Sequence, residues 1–175
     1  DVKYFYFGGY VGDGNLSMKI NYEGTLKEIK LEIAVNKNFD IYINNIYSGY
    51  YEKSASEFIP AAYPLDAYLT QFSSGSNTIK FVADNLYIAG GYIKIVYDTT
   101  NPYTPQTKYY FPGIEGIINL YDSFYIPGNL NNLDISLHLN SQYTAFLNVG
   151  NTSVFNQSTS GEQTIPISNS ELQSK

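Results

Sequence analysis

The chain has no cysteine and one histidine, so any catalysis would fall to His138, the carboxylates and the hydroxyls. His138 lies in "LDISLHLN", where Leu133, Ile135, Leu137 and Leu139 alternate with polar or small residues, which puts the imidazole on the solvent phase of a strand. A Ser-His-Asp arrangement needs an orienting carboxylate and a nucleophile held at a tight turn, and no segment reads as a nucleophile elbow. A glycosidase needs two carboxyl groups flanking one bond. The acids here are scattered, and Glu28 and Glu32 share the polar face of one strand, where they solubilise it. No catalytic residue is assigned, and an enzyme is not expected.

Two binding chemistries remain. "GDGN" and "ADN" gather hard oxygens and flexible carbonyls, making Asp13, Asn15 and Asp84 candidate ligands of a structural calcium. The ion requires six to eight oxygens in one place, and two ordinary turns are the simpler reading. No other cofactor is implied. Flat aromatic rings can stack on the C–H faces of sugars, and Tyr47, Tyr50, Tyr51 and Tyr103 are candidates, although tyrosine is also a good strand former and tryptophan is absent. Asn15, Asn151 and Asn156 each precede a serine by two positions and could carry N-glycans on an exported chain; the last two fall in an expected loop.

Composition narrows the partners. The net charge is -6, all ten basic residues are lysines, and they form no stripe, so the patch that neutralises phosphates is missing and nucleic acid is not expected. No run of 18 apolar residues would cross a bilayer as a helix, so membrane insertion is not expected either. The opening "DVKYFYF" reads as an extended segment, so any signal peptide has been removed. Only 15% of residues are charged while 19 are tyrosine, a neutral polar balance that suits an exported or cell-surface protein.

The elements that would position these groups come in two copies. "FPGIEGIINLYDSFYIPGNLNNLDISLHLN" (Phe111 to Asn140) lies without a gap on "FGGYVGDGNLSMKINYEGTLKEIKLEIAVN" (Phe7 to Asn36) at an offset of 104 residues, 111 minus 7. Between Phe7 and Asn44 nine identical pairs fall in register, among them Gly9 with Gly113, Leu16 with Leu120, Asn36 with Asn140 and Asn44 with Asn148. Ile29, Leu31, Ile33 and Val35 meet Leu133, Ile135, Leu137 and Leu139, so the strand phase is kept and with it the choice of inner face. Asp13 becomes Ile117, which argues against a repeated calcium site. More loosely, after a two-residue insertion, Ile59 and Pro60 fall on Ile165 and Pro166. Copy one then continues into expected strands at Asn77 to Ala83 and Tyr92 to Tyr97 with a turn at Asp84 and Asn85; copy two has no equivalent. The proline-bearing "TTNPYTPQT" reads as a linker, which sets the expected domains at 1–101 and 102–175. Helix signal is confined to single turns in "SASEFIP" and "LDAYLTQ".

Short alternating segments broken by turn residues every 8 to 12 positions or so are the pattern of an antiparallel sandwich. The expected fold is all-β: two tandem jelly-roll-like β-sandwich repeats, the second lacking its last strands. "FDIYINNIYSGYY" followed by "FIPAAYPLDAYLTQFSSGSNTIKFVAD" resembles the galactose-binding superfamily. There a strand presents a "VNG"-type turn and a "G-x-N-x-I" segment begins a later core strand; Ile43-Asn44-Asn45 and Gly75-Ser76-Asn77-Thr78-Ile79 stand for the two. The whole also resembles repeated β modules of archaeal secreted or cell-surface proteins. The resemblance implies carbohydrate binding and no catalysis. The expectation is therefore an extracellular or cell-surface structural or adhesion module. Its partners would be further copies of itself, other surface proteins or glycans. Carbohydrate binding is one alternative function, and a filament subunit joined by strand exchange is another, because an incomplete second sandwich would expose unpaired backbone groups.

Overall fold

The computed structural model describes residues 1–100, 109–122, 131–140, 144–150 and 152–168. The chain divides into two compact units, Asp1–Phe124 and Tyr125–Lys175. The division expected near Asn101 lies outside the described residues; the first unit extends past it because a strand beyond the linker pairs back onto the first sheet.

Unit one contains β1 (Val2–Phe7), β2 (Gly9–Tyr22), β3 (Thr25–Val35), β4 (Phe39–Ile43), β5 (Ile46–Tyr51), β6 (Ala61–Pro64), a short 3-10 helix (Asp66–Gln71), β7 (Gly75–Val82), β8 (Ile88–Asp98) and β9 (Gly113–Tyr121). The pairing runs β5-β4-β7-β2-β8-β3-β6, with β1 added on β8 and β9 on β2, and every ladder is antiparallel. This path doubles back into two facing layers, β5-β4-β7-β2 and β1-β8-β3-β6. Rings meet across the gap: Phe39 on β4 stands edge-on to Tyr63 on β6 at 5.7 Å, and Phe7 on β1 lies 5.7 Å from Phe81 on β7. The architecture is the all-β sandwich that the alternation predicts.

Alternation decides which side chains fill the gap. On β3 the inward set Ile29, Leu31, Ile33 and Val35 is buried, and so are Phe39, Ile41 and Ile43 on β4, Ile79 and Phe81 on β7, and Ile93 and Ile95 on β8. Burying each such side chain is worth roughly 1.5–3 kcal/mol, an upper figure because real unfolded chains already bury some surface. The two expected late strands are present and longer than read, as β7 and β8. "LDAYLTQ" supplies the 3-10 turn, pinned where the Ile29 amide donates to Asp66 Oδ1 at 2.9 Å.

Unit two holds two separate ladders, β10 (Leu133–Leu139) with β13 (Gly161–Ile167) and β11 (Ala145–Val149) with β12 (Thr152–Gln157). Its apolar residues alternate as in β3, yet Leu133, Ile135, Leu137 and Leu139 are only half-buried. Among its described residues, Phe155 and Ile167 alone are buried.

Candidate functional site

Asn44 and Asn45 form the two-residue turn between β4 and β5, both with positive φ (48° and 67°), the geometry of the tight hairpin turn that asparagine tolerates. That turn places the Asn44 side chain against the start of β7. Its Nδ2 donates to Asn77 Oδ1 at 2.9 Å and to the Gln71 carbonyl at 2.8 Å, and its Oδ1 accepts the Thr78 amide at 2.9 Å. Asn77, 1% exposed, accepts the Ser73 amide at 3.0 Å and donates to the Ser73 carbonyl at 2.7 Å. The two motifs singled out in the sequence are thus bonded to each other. The Asn44 and Asn77 side chains are engaged inside the protein, where they set the fold.

The candidate sugar platform on β5 is divided. Tyr47 and Tyr50 are exposed, 53% and 58%, with Tyr47 donating to Asp40 Oδ1 at 3.2 Å and the Tyr50 hydroxyl accepting Asn38 Nδ2 at 2.8 Å. Tyr51 instead stacks on Phe39 at 5.8 Å and meets Tyr63 edge-on at 5.5 Å. Burial, followed by the neighbouring Tyr68, pushes its phenol well above the usual range. Tyr51 packs against the core and does not belong to a platform. Tyr103 lies outside the described residues.

A second aromatic cluster occupies the outer face of the β1-β8-β3 layer. In "VKYFYF" the phase of β1 turns Phe7 inward and Tyr4 and Tyr6 outward, 45% and 55% exposed. The β1–β8 register sets Tyr6 beside Tyr92, and the β3–β8 register sets Tyr92 beside Glu32. The three rings form a continuous triad: Tyr4 and Tyr6 have centroids 5.8 Å apart and planes 14° apart, and Tyr92 lies 5.5 Å from Tyr4 and 5.7 Å from Tyr6. Tyr92 donates to Glu32 Oε2 at 2.7 Å, and Lys30 Nζ stands 5.9 Å from the same ring. The bond to Glu32, reinforced by burial, pushes the Tyr92 phenol up to about 12.

Glu32 also lines a depression of about 330 Å³ between β3 and β8, with Ala34, Phe58, Pro60, Ala89 and Gly90 around it. Phe58 is 42% exposed and has φ 58°, a conformation uncommon for a bulky residue, held by its amide donating to the Val35 carbonyl at 2.8 Å.

The remaining candidates fall elsewhere. "GDGN" does not form a turn. Asp13 and Asn15 lie within β2, opposite Ile117 and Glu115, because continuous pairing with β9 overrides the local turn preference of Gly, Asp and Asn. Asp84 is exposed in the turn after β7, and its carbonyl accepts Lys37 Nζ at 2.7 Å, so a cation already sits there. No three His, Cys, Asp or Glu residues gather among the described residues in a way that would hold a metal. His138 is exposed, as its phase requires, with Nδ1 3.8 Å from Glu162 Oε1 on the adjacent strand. Asn15 as a sequon lies partly buried in a ladder, Asn151 lies outside the described residues, and Asn156 is exposed on β12. The segment read as a loop at Asn156 is thus a strand, made by hairpin pairing with β11.

No helix among the described residues is long and apolar enough to cross a membrane. No family model matches the chain, and neither does any curated protein. Among solved structures, the chain is similar to the crystal structure of the CBM36-1 domain of a multidomain xylanase from the hindgut metagenome of Trinervitermes trinervoides. The likeness covers 57% of this chain and 100% of that one, at 14% identity and a TM-score of 0.41.

Proposed function

We propose that the protein is a non-enzymatic, extracellular adhesion module that binds carbohydrate on the outer face of β1, β8 and β3. The observation that carries this reading is the Tyr4-Tyr6-Tyr92 triad with Glu32 beside it. Tyr4 and Tyr6, with planes 14° apart, and Tyr92, inclined 66° and 59° to them, offer a contiguous aromatic surface of faces and edges against which the C–H face of a sugar can pack. Glu32, charged and partly exposed, supplies acceptor oxygens for hydroxyl groups, and bonds to an ionised acceptor are the stronger kind. The adjoining depression at Phe58 gives a second subsite for a neighbouring residue of a glycan chain.

A glycan array followed by calorimetry on the strongest hit tests this. Tyr92→Ala and Tyr6→Ala are expected to weaken binding tenfold or more, which corresponds to a loss of about 1.4 kcal/mol. Tyr47→Ala and Tyr50→Ala, on the opposite layer, are expected to leave it unchanged. A blank array, or equal losses for both pairs, would overturn the assignment.

A further inference from the structure

The outer face of the β1-β8-β3 layer carries a second kind of chemistry beside its tyrosines. Ile93 and Ile95 on β8 and Ile29 and Leu31 on β3 are buried, so Lys94 and Lys30, which lie between them, take the outward phase. The register sets Tyr4, Lys94, Lys30 and Pro64 in one row across β1, β8, β3 and β6, and Tyr6, Tyr92, Glu32 and Ala62 in the next. Two lysines are therefore direct cross-strand neighbours, with Cβ atoms roughly 4.5–5.5 Å apart. Tyr4 ends their row on the β1 side, and Lys30 Nζ stands 5.9 Å from the Tyr92 ring.

This placement works against the fold. Like charges directly opposite each other on a sheet destabilise it, and both side chains are half-buried, where solvent screens them less than in open water. Elsewhere on the same strand a lysine is balanced: Lys27 Nζ meets Asp98 Oδ2 at 3.2 Å. Among the described residues, no carboxylate forms an ion pair with Lys30 or Lys94. The acids of β3 on this face, Glu28 and Glu32, stand in the rows on either side, about 7 Å along the strand, and Glu32 already accepts the Tyr92 hydroxyl.

We infer, resting on the carbohydrate reading of this face, that the glycan it takes is acidic: the sugar packs on Tyr4 and Tyr92, and its anionic substituent, a carboxylate or a sulfate, sits over Lys94 and Lys30. Such a group carries two or more oxygens on one centre, so it bridges two ammonium groups held side by side and replaces their repulsion with two charge-assisted hydrogen bonds. Glu32 then accepts hydroxyls of the same sugar, and the lysines select its charge. The net charge of -6 opposes an anion at long range, but charges more than about 8 Å apart are largely screened at physiological ionic strength, which leaves the local pair to decide.

The test is a glycan array for the full chain, carrying uronic acid and sulfated oligosaccharides beside their methyl-esterified and desulfated forms, with calorimetry on the strongest matched pair. The acidic form is expected to bind about tenfold more tightly than its neutral counterpart, with uronate or sulfate identified by which pair separates. That preference is expected to shrink as salt is raised and to fall about threefold or more in Lys94→Gln and in Lys30→Gln. Lys27→Gln, which removes a lysine already paired with Asp98, is expected to keep it. Neutral forms that bind as tightly as acidic ones, or a preference that survives in both Lys94→Gln and Lys30→Gln, would overturn this inference and leave the carbohydrate reading standing. An array on which neither form of any pair binds would overturn both.

Discussion

Asp13 and Ile117 face each other at the centre of the β2–β9 ladder, and they are 104 residues apart, the same shift that aligns the two halves of the sequence. The rest of the ladder obeys the shift as well. Gly9 pairs with Tyr121 and Ser17 with Gly113; adding 104 to Gly9 gives Gly113 and adding it to Ser17 gives Tyr121, so one pair becomes the other. A contact that maps onto itself in this way has the form of an isologous interface, in which the same patch is used on both sides.

If β9 occupies a place that a second β2 could take, a chain of residues 1–100 should self-associate through β2. The buried core cluster of unit one runs from Phe7 to Ile95, so this segment keeps it and loses the β9 cover together with the contacts of Tyr109 to Tyr6 and of Tyr110 to Lys19. Light scattering across a concentration series is expected to give a dimer that dissociates on dilution. A strict monomer up to millimolar concentration would show that the symmetry of the ladder has no energetic weight.

Asn77 provides a test of what the buried asparagine pair contributes. Replacing it with alanine leaves the Ser73 amide and one Asn44 N–H without an acceptor and the Ser73 carbonyl without a donor. At roughly 1–3 kcal/mol for each group stranded away from water, with partial relief by solvent at this part-buried site, Asn77→Ala should cost about 2–4 kcal/mol in urea unfolding. Tyr47→Phe, which removes only an exposed bond to Asp40, should change stability by no more than about 0.5 kcal/mol.

These contrasts explain what could be read from the sequence. The phase of β3 was legible because four apolar residues at a spacing of two leave only one inward face, whereas the turn at Asn44 and Asn45 was placed by the resemblance of Ile43-Asn44-Asn45 to a "VNG"-type turn, and its positive φ values suit asparagine. The outward phase of Tyr4 and Tyr6 was present in "VKYFYF", since Phe5 and Phe7 take the other phase. Their junction with Tyr92 was not, because it depends on a ladder joining segments about 90 residues apart, whose register no local pattern encodes. "GDGN" and the segment around Asn156 failed in the opposite direction: local turn chemistry predicted loops, and long-range or hairpin pairing made strands.

The bond from Tyr92 to Glu32 makes alkaline titration informative. Folding raises this phenol from the ordinary value of about 10 to about 12. Between those values the folded chain holds a proton that the unfolded chain has lost. The stabilisation is therefore complete below pH of about 10 and falls away as pH rises through about 12. The difference between the ultraviolet titrations of the native chain and of Tyr92→Phe should show one phenol ionising near the upper value. Glu32→Gln should bring it back towards the lower one, because the hydrogen-bonded carboxylate is the largest cause of the shift. An unmoved midpoint in Glu32→Gln would mean that the carboxylate does not hold Tyr92 in place.

Gly91 determines whether the platform and the core depend on the same close approach. A methyl group there would stand 2.2 Å from the Glu32 carbonyl oxygen and 2.7 Å from Phe7 Cζ, so β8 and β3 can pack this closely only over a glycine. Gly75 has φ +106° but nothing within reach of an added carbon. Gly91→Ala must therefore spread two central strands, an overpacking cost of about 1–3 kcal/mol or more, whereas Gly75→Ala bears only backbone strain of about 1–2 kcal/mol. The two variants separate in a second way. Spreading β3 from β8 moves Glu32 away from Tyr92, so Gly91→Ala should lower the Tyr92 ionisation midpoint as well as the unfolding midpoint, while Gly75→Ala should lower the unfolding midpoint alone. If Gly91→Ala left the phenol titration unchanged, the strands would have absorbed the methyl group elsewhere, and the tie between the sheet's closest approach and its outer tyrosine face would be broken.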